Sequence, residues 1–293
     1  MYSRRIAWIL PLVAAALVAG QSARAESPYT QTMNVVYAEV DGVGLILDVF
    51  APNGNANGLA IVDVASGAFY SDRGKIEDHR RAQMYDIFCG KGYTVFAVRP
   101  GSITKFNLSE MAKNLKQGIS WVKEHAAEYK IDPNRLGLAG ASAGGHLASL
   151  VAVTADGKSA VKAAGVFFPP TDFLDYRGVK IDADTPPETL ERLKRFVYPN
   201  GAAPASTSEL IDKLKQVSPA LLVTDKAPPF LIIHGDADPV VPLDQSKKLL
   251  AALQSAGVPA ELIVKEGGAH PWPTIHEEVQ VMADWFDKQL AGK

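Results

Sequence analysis

The sequence predicts an α/β fold in which a mostly parallel sheet is covered by helices on both faces. Short apolar segments that suit buried strands alternate along the chain with longer segments of helical pattern. The sequence shows no internal repeat, heptad run or low-complexity tract. Parallel neighbours in a sheet need crossover connections, and helices normally supply them. The 293 residues are enough for one large α/β domain.

The predicted strands begin with an antiparallel hairpin at the sheet edge. Its arms, 34–40 and 45–50, flank Asp41-Gly42, and Asp-Gly is a strong signal for a tight hairpin turn. The later strands are apolar runs, as expected for strands that are buried on both faces. These later strands span 59–64, 93–98, 136–141, 230–233 and 260–264.

The predicted helices lie between and after these strands, where a parallel sheet needs its crossovers. Most are long enough to cover one face of the sheet, and two shorter ones fall in the segment that precedes the strand 230–233. The predicted helices span 75–91, 108–129, 142–153, 187–197, 206–215, 243–256 and 274–290.

One segment reads as a strand, a sharp turn and a helix with a serine at the apex. Residues 140–144 are Gly-Ala-Ser-Ala-Gly, the pattern of a nucleophile elbow. Gly140 and Gly144 lack a Cβ, which lets the strand and the helix approach each other closely behind the turn. We therefore predict that Ser142 is a catalytic nucleophile.

A serine hydroxyl is a weak nucleophile at neutral pH, so it needs a base that a carboxylate orients. The carboxylate is expected before the histidine in the chain. The strand 230–233 leads into a loop with Asp236 and Asp238. Asp238 is favoured because it lies further beyond the strand and precedes Pro239, which restricts its backbone. Asp236 then reads as a turn former.

The base is expected in a loop after the next strand, 260–264. That loop contains Gly267, Gly268 and then His270, which is the predicted base. His276, inside the predicted last helix, is the reserve candidate. Asp172 is an alternative carboxylate, although a turn or helix-cap role is favoured for it.

On these motifs the chain resembles the α/β-hydrolase superfamily. Within it, the chain is similar to bacterial carboxylesterases related to hormone-sensitive lipase and to acetyl-xylan esterases. The resemblance runs from about 36 to 290 and is most specific at 140–146, 131–137, 234–242 and 267–272. It implies an eight-stranded sheet with a small inserted cap, and it places Ser142, Asp238 and His270 in the triad positions.

The chain departs from this family after its third strand. Related enzymes carry His-Gly-Gly-Gly there, and its backbone amides stabilise the oxyanion, whereas this chain has Ala-Ser-Gly-Ala-Phe-Tyr at 65–70. Backbone amides do not depend on side chains, so we expect oxyanion donors at Gly67 or Ala68 and at Ala143, which follows the nucleophile. A second departure is the segment 99–106. Its Arg99 is a candidate for contact with an anionic substrate, and an ordinary salt bridge is the commoner role.

The segment 169–227 is longer than a usual connection, and we interpret it as an inserted cap that shapes the substrate pocket. Four aromatic residues are candidates for substrate contact: Phe69, Tyr70, Phe173 and Trp272. Tyr176 and Tyr198 are further candidates in the cap.

The amino terminus resembles a secretory signal peptide. Arg4 and Arg5 precede an apolar stretch at 6–19, which is shorter than the roughly 20 residues that span a bilayer, and Ala23-Arg-Ala25 has the small residues of a cleavage site. Residues 26–293 then form the catalytic domain, in the periplasm or the medium, without a stable membrane anchor.

Removal of 1–25 takes away three arginines and no acidic residue, so the net charge moves from −2 to −5 and nucleic acid is not an expected partner.

The single Cys89 reads as a buried apolar residue within the helix 75–91. The scattered histidines predict no metal site, and Asp78-His79 reads as a solvated pair. No cofactor is expected, and the oligomeric state is left open.

The predicted function is a secreted serine hydrolase of carboxylic esters, with short-chain acyl esters or acetylated carbohydrate as substrates by resemblance. A peptidase related to the prolyl oligopeptidases is an alternative with the same triad, but such enzymes normally carry a further amino-terminal domain. A cutinase-like activity is a second alternative, which the cap disfavours. A non-catalytic binding protein on a hydrolase scaffold is a third, because the oxyanion loop is altered.

Overall fold

The computed structural model describes residues 27–291 except 183, 199–201, 203 and 205. The predicted signal peptide lies outside the described residues. The strands are β1 Tyr29–Val40, β2 Val43–Pro52, β3 Ala60–Val64, β4 Thr94–Arg99, β5 Leu136–Ala141, β6 Ala163–Phe167, β7 Asp175–Tyr176, β8 Val179–Lys180, β9 Phe230–Gly235 and β10 Ala260–Lys265. The α-helices are α1 Arg73–Arg81, α2 Met84–Gly90, α3 Leu108–Glu124, α4 Ala143–Thr154, α5 Pro187–Val197, α6 Thr207–Gln216, α7 Leu243–Ser255 and α8 Ile275–Leu290.

Eight of the strands form one sheet in the order β1-β2-β4-β3-β5-β6-β9-β10. The pairs β1–β2 and β2–β4 are antiparallel, and all later pairs are parallel. The predicted mostly parallel sheet with helices on both faces is therefore confirmed. The predicted hairpin is also present, and its turn residues Asp41 and Gly42 both have positive φ values, 51° and 72°. Two consecutive positive φ values are the geometry that favours Asp-Gly in a tight hairpin.

The two faces of the sheet bury separate apolar clusters. Neighbouring residues of β3 belong to different clusters, Ile61 to one and Val62 to the other, because successive side chains of a strand point to opposite faces. Helices α3, α4 and α7 contribute to the cluster of Val62, and α2 and α8 contribute to the cluster of Ile61. None of the helices described is long and apolar enough to cross a bilayer.

The predicted helix 75–91 is wrong as a single element. The structure divides it into α1 and α2, because Gln83 adopts the left-handed conformation with φ 58°, which interrupts the helical backbone. Tyr85 and Phe88 of α2 are buried in the core. Cys89 is buried on the same helix, as predicted, and burial raises the pKa of its thiol to about 12.

The segment 169–227 contains the short β7–β8 hairpin, helices α5 and α6, and a 3₁₀ turn at Pro219–Leu221. Residues of β8 and α5 line the same cavity as Ser142, at the carboxyl end of β5. In open α/β sheets, ligands bind at this edge, beyond the carboxyl ends of the strands.

Candidate active site

Ser142 occupies the turn between β5 and α4 with φ 54° and ψ −120°, a strained conformation for a residue with a side chain. The two flanking glycines explain how the chain reaches it. A Cβ on Gly140 would lie 2.5 Å from the carbonyl oxygen of Gly144, and a Cβ on Gly144 would lie 2.3 Å from that of Val64. The strand, the turn and the helix therefore approach too closely for any larger residue at these two positions.

The side chains of Ser142, His270 and Asp238 form a continuous chain of hydrogen bonds. The His270 Nε2 atom lies 2.9 Å from Ser142 Oγ, and its Nδ1 atom lies 2.6 Å from Asp238 Oδ2. The three residues follow β5, β9 and β10, so the carboxyl edge of the sheet brings them together. This arrangement matches the order nucleophile, base and orienting carboxylate.

The Asp238 carboxylate is fully enclosed and has several donors. Its Oδ1 atom accepts hydrogen bonds from the backbone N–H groups of Val240 and Val241 at 2.7 and 2.9 Å. Burial raises the pKa of Asp238, but the contacts with His234 and His270 and the two amide bonds lower it by more. The pKa of this carboxyl therefore lies well below its usual range, and Asp238 stays ionised beside the imidazole.

The loops that carry Asp238 and His270 are hydrogen-bonded to each other. The Asp236 carboxylate accepts a hydrogen bond from Gly267 N–H at 2.7 Å, and Ala237 N–H donates to the carbonyl oxygen of Gly268 at 3.0 Å. A Cβ on Gly235 would lie 2.1 Å from that same oxygen. Asp236 therefore shapes the loops, in keeping with its predicted role as a turn former.

The amides of Ala68 and Ala143 are the oxyanion donors that the structure leaves available. Neither N–H group has an acceptor within the described residues. The N–H of Gly67 is already bound to the carbonyl oxygen of Tyr70 at 2.9 Å, so the prediction of Gly67 as a donor is wrong. Ala68 and Phe69 have φ values of 48° and 63°, so two consecutive residues of this loop are in the strained left-handed region.

Hydrogen bonds join this loop to the segment 99–106, in which the sequence departs from the family pattern. Arg99 Nε donates to the carbonyl oxygen of Ser71 at 2.7 Å, and Ser102 Oγ accepts from Ser71 N–H at 3.0 Å. The N–H of Ile103 donates to the carbonyl oxygen of Phe69 at 2.8 Å. Arg99 thus has a structural partner and lines neither of the cavities at Ser142.

Two cavities meet at Ser142. The first has a volume of about 500 Å³ and lies under the cap; we call it the cap cavity. Its walls are mainly apolar, and they also include three arginines. The apolar residues include Phe69, Ala143, Phe173, Leu193 and Phe196, and the arginines are Arg177, Arg192 and Arg195. The second has a volume of about 630 Å³ and lies against α1; we call it the α1 cavity. Its walls are likewise mainly apolar and include Phe168 and Trp272, together with the polar residues Lys75, Asp78, His79, Arg81 and His270.

Three of the four predicted aromatic contacts line these cavities, Phe69 and Phe173 in the first and Trp272 in the second. The prediction for Tyr70 is wrong, because its side chain points into solvent and lines neither cavity. Tyr176 lines the cap cavity, and Tyr198 lines neither.

The two other reserve candidates stand apart from the triad. The Asp172 carboxylate accepts a hydrogen bond from Leu174 N–H at 2.9 Å, which is the favoured turn role. His276 lies in α8 and lines neither cavity.

A buried histidine supports the aromatic wall of the cap cavity. His146 packs against the rings of Phe69 and Phe173 at centroid distances of 5.4 and 5.0 Å. Its Nδ1 atom lies 2.9 Å from the carbonyl oxygen of Pro170. Burial lowers the pKa of His146 to about 4, so its imidazole is neutral at physiological pH.

Sequence reasoning missed two acid–histidine contacts. His79 is not part of a solvated pair with Asp78, since its Nδ1 atom lies 2.7 Å from the buried Oδ2 atom of Asp63. His234, fully buried on β9, approaches Asp238 from a second side. One signal was available for the first contact, because Asp63 is the only charged residue in the apolar run 59–64. Within the described ranges, no group of three or more acidic, histidine or cysteine side chains suits a metal ion.

The mostly parallel sheet and the Ser142–His270–Asp238 arrangement at its carboxyl edge define an α/β-hydrolase. The chain belongs to the BD-FAE family, whose sequence model matches residues 47–253. Esterase LipQ of Mycobacterium tuberculosis is 30% identical over 170 residues, which make up 54% of this chain and 37% of that protein. The chain thus spans just over a third of the length of this curated relative.

Solved structures of esterases superpose on most of the chain. A truncated carbohydrate esterase from gut microbiota has a TM-score of 0.76 at 26% identity, covering 92% of this chain and 99% of that one. Esterase Est2 of Thermogutta terrifontis with bound butyrate has a TM-score of 0.67 at 26% identity, covering 89% and 95%. The same esterase phosphonylated by sarin has the same score and identity, covering 89% and 96%. These matches confirm the resemblance to α/β-hydrolase esterases.

Proposed function

We propose that the protein is a serine hydrolase that cleaves carboxylic esters through an acyl-enzyme intermediate. The observation that carries the proposal is the hydrogen-bond chain from Asp238 through His270 to Ser142 Oγ, with distances of 2.6 and 2.9 Å. Each link has the geometry that proton transfer requires in the resting enzyme. The free amides of Ala68 and Ala143 supply donors for the negative charge that develops during the reaction.

In this mechanism, His270 Nε2 takes the proton from Ser142 Oγ while the oxygen attacks the ester carbonyl carbon. The carbonyl oxygen becomes an oxyanion, and the amides of Ala68 and Ala143 donate hydrogen bonds to it. The intermediate collapses, His270 gives its proton to the departing alcohol, and the acyl group stays on Ser142. Water, deprotonated by His270, then releases the acid. Asp238 stabilises the imidazolium cation during both halves.

The substrates that we propose are short-chain acyl esters and acetylated carbohydrate. The butyrate in Est2 and the description of a similar structure as a carbohydrate esterase support this choice. The sarin adduct of Est2 supports reaction of this class of site with organophosphorus compounds.

The first test compares the mature protein with a Ser142→Ala variant. Both are assayed against p-nitrophenyl acetate, butyrate and octanoate, and both are treated with a fluorophosphonate probe. We expect labelling of the native protein and turnover of the short esters, with both lost in the variant. A Ser255→Ala variant, which removes an exposed hydroxyl on α7, is the control and should behave as the native protein. A native protein that is neither labelled nor active would support the binding-protein alternative.

We further propose that residues 1–25 direct export to the periplasm or the medium. The basic start, the apolar stretch and the Ala23-Arg-Ala25 site support this proposal. Expression of the full chain in a bacterium followed by intact mass measurement should give a mature form that begins at Glu26. An Ala25→Lys variant should leave the leader attached. Recovery of the uncleaved native chain from the cytoplasm would contradict the proposal.

A further inference from the structure

In the proposed mechanism, the acyl group of the ester is directed towards the cap cavity. His270 must give its proton to the oxygen of the departing alcohol, so the alcohol leaves on the side of Ser142 where His270 is accessible. His270 lines the α1 cavity and is absent from the walls of the cap cavity. At about 500 Å³, the cap cavity has room for an acyl chain much longer than acetyl.

The walls of the cap cavity differ in burial according to their chemistry. Among the apolar residues that line it, three are buried: Phe69, Ala143 and Phe173. The charged residues that line it are all exposed, and all are positive: Arg177, Arg192 and Arg195. No aspartate or glutamate is among the described residues of these walls. The cavity therefore has an apolar interior and positive charge where it meets the solvent.

The periodicity of α5 directs one of these arginines to the cavity. Thr189, Arg192, Leu193 and Phe196 follow the spacing i, i+3, i+4 and i+7, so they share one face of the helix. All four line the cap cavity. Arg195 lies beside this face, with its guanidinium carbon 5.1 Å from the centroid of the Phe196 ring.

None of the three guanidinium groups forms an ion pair with a carboxylate of the described residues. Of the eight arginines that the structure describes, four others do so. Arg177 donates to the carbonyl oxygens of Pro239 and Val240, which carry no net charge. On α5, Glu191 is already paired with Lys194 at 2.9 Å. Three positive charges thus surround one cavity in a chain whose net charge is −2.

A carboxylate on the substrate is the group that suits such walls. A guanidinium binds a carboxylate through two parallel hydrogen bonds, which fixes the orientation of the anion. Because the three side chains are exposed, little desolvation opposes the ion pair, and each pair has a modest strength that salt reduces. The methylene groups of an acyl chain fit the apolar interior, and a carboxylate at its far end reaches the arginines.

We propose that the enzyme favours esters whose acyl group ends in a carboxylate, as in monoesters of aliphatic dicarboxylic acids, and that Arg192, together with Arg177 and Arg195, determines this specificity. The inference rests on the proposed esterase function and names the class of acid that the cap cavity selects. The products are the alcohol and the free dicarboxylic acid.

The test compares mono-p-nitrophenyl adipate with p-nitrophenyl hexanoate, in which a methyl group takes the place of the carboxylate. The alcohol and the chain length are the same, so the ratio of kcat/KM for the adipate to kcat/KM for the hexanoate measures recognition of the carboxylate. We expect the native protein to prefer the adipate.

The ratio should fall at least threefold in Arg192→Gln and at least tenfold in the double variant Arg192→Gln/Arg195→Gln, since one exposed ion pair is worth up to about fivefold. Raising the NaCl concentration from about 0.05 M to about 0.5 M should also lower the native ratio, because salt screens exposed charges.

Lys194→Gln is the matched control. It removes one positive charge from the same helix, but Lys194 is paired with Glu191 and lines neither cavity. It should leave the ratio within about twofold of the native value. Arg195→Gln and the salt dependence of the native ratio decide the matter if Arg192→Gln does not fold, which a thermal melt will show.

Native protein that cleaves the hexanoate at least as well as the adipate would overturn the proposal. Unchanged ratios in the folded arginine variants would overturn it as well. Either result leaves the esterase function intact, because the hexanoate is still cleaved. Native protein without fluorophosphonate labelling would instead refute the esterase function itself.

Discussion

Nε2 of His234 lies 3.5 Å from Oδ2 of Asp238, and neither side chain is exposed to solvent. The other nitrogen of His234 lies 2.6 Å from Ser246 Oγ on α7. Nε2 also lies 2.9 Å from the carbonyl oxygen of Val241, which is its nearer partner. A second histidine, itself held by a serine, thus fixes the loop behind the Asp238 carboxylate and makes a longer contact with that carboxylate. Hydrogen bonds of this kind hold catalytic side chains in position without taking part in the reaction.

His234 is therefore predicted to be a positioning residue. A His234→Gln variant should lower kcat about tenfold with a smaller change in KM, because the Val241 carbonyl oxygen and Asp238 both lose a buried partner. The measurement is steady-state kinetics on p-nitrophenyl acetate together with a thermal melt. His276→Gln on α8 is the matched control and should retain native kcat. A folded His234→Gln variant with the kcat of this control would show that the contact is structural only.

Asp238→Asn should lower kcat by about 10⁴-fold, as the loss of the orienting carboxylate does in other serine hydrolases.

The effect of Asp238→Asn on stability has a definite pH dependence. The pKa of Asp238 is depressed in the folded state, so the ionised carboxyl stabilises the fold above the unfolded-state value of about 3.9 and loses this effect as the pH falls below it.

Urea unfolding of native protein and Asp238→Asn should therefore show a constant difference in the free energy of unfolding above about pH 5. The difference should shrink below about pH 4. A difference that increases with acidity would mean that the folded-state pKa of Asp238 is raised.

Gly144→Ala tests the close packing of the elbow. The added Cβ would lie 2.3 Å from the carbonyl oxygen of Val64, so the turn has to shift and Ser142 with it. We expect a loss of kcat of at least 100-fold and a lower melting temperature. Gly90→Ala makes the same change at the end of α2, where nothing lies within 4 Å of the new Cβ, and should be close to neutral. Native activity in Gly144→Ala would mean that the elbow tolerates a wider turn.

Phe196→Ala tests whether the cap cavity receives the acyl group of the ester. The Phe196 ring stacks on Phe173 with a centroid distance of 5.0 Å and lines the cavity, so its removal extends the apolar space. The ratio of kcat/KM for p-nitrophenyl octanoate to that for the acetate should rise about tenfold, because added methylene groups gain apolar contacts. Tyr70→Ala removes an aromatic ring that lines neither cavity, and this control should retain the native ratio. An unchanged ratio in Phe196→Ala would place the acyl chain elsewhere.

The sequence predicted those features of the site whose signal lies within a few neighbouring residues. The elbow could be predicted from Gly140, Ser142 and Gly144. The close approach of the strand and the helix restricts which residue types each of these positions can hold. Asp238 and His270 were located because each follows an apolar strand, and parallel strands end at one edge of the sheet. Hydrogen-bond geometry at that edge brings the three predicted residues together.

Two backbone details within single segments were not predicted from the sequence. Gly67 was expected to donate to the oxyanion, yet its N–H is used by Tyr70 within the loop. The break between α1 and α2 depends on the backbone conformation of Gln83 alone, and the hydrophobic periodicity of 75–91 does not reveal it.

The sequence by itself determined the α/β fold, the nucleophile turn and the order of the candidate triad, because strand burial, helix periodicity and turn chemistry are local properties. Only the tertiary structure decided which surfaces meet at Ser142. Residues of α5 line the cap cavity and residues of α1 line the α1 cavity, and more than 100 residues separate these two helices in the chain. The contact between Asp63 and His79 has the same origin, since 16 residues separate them and only the packing of α1 on the sheet joins them.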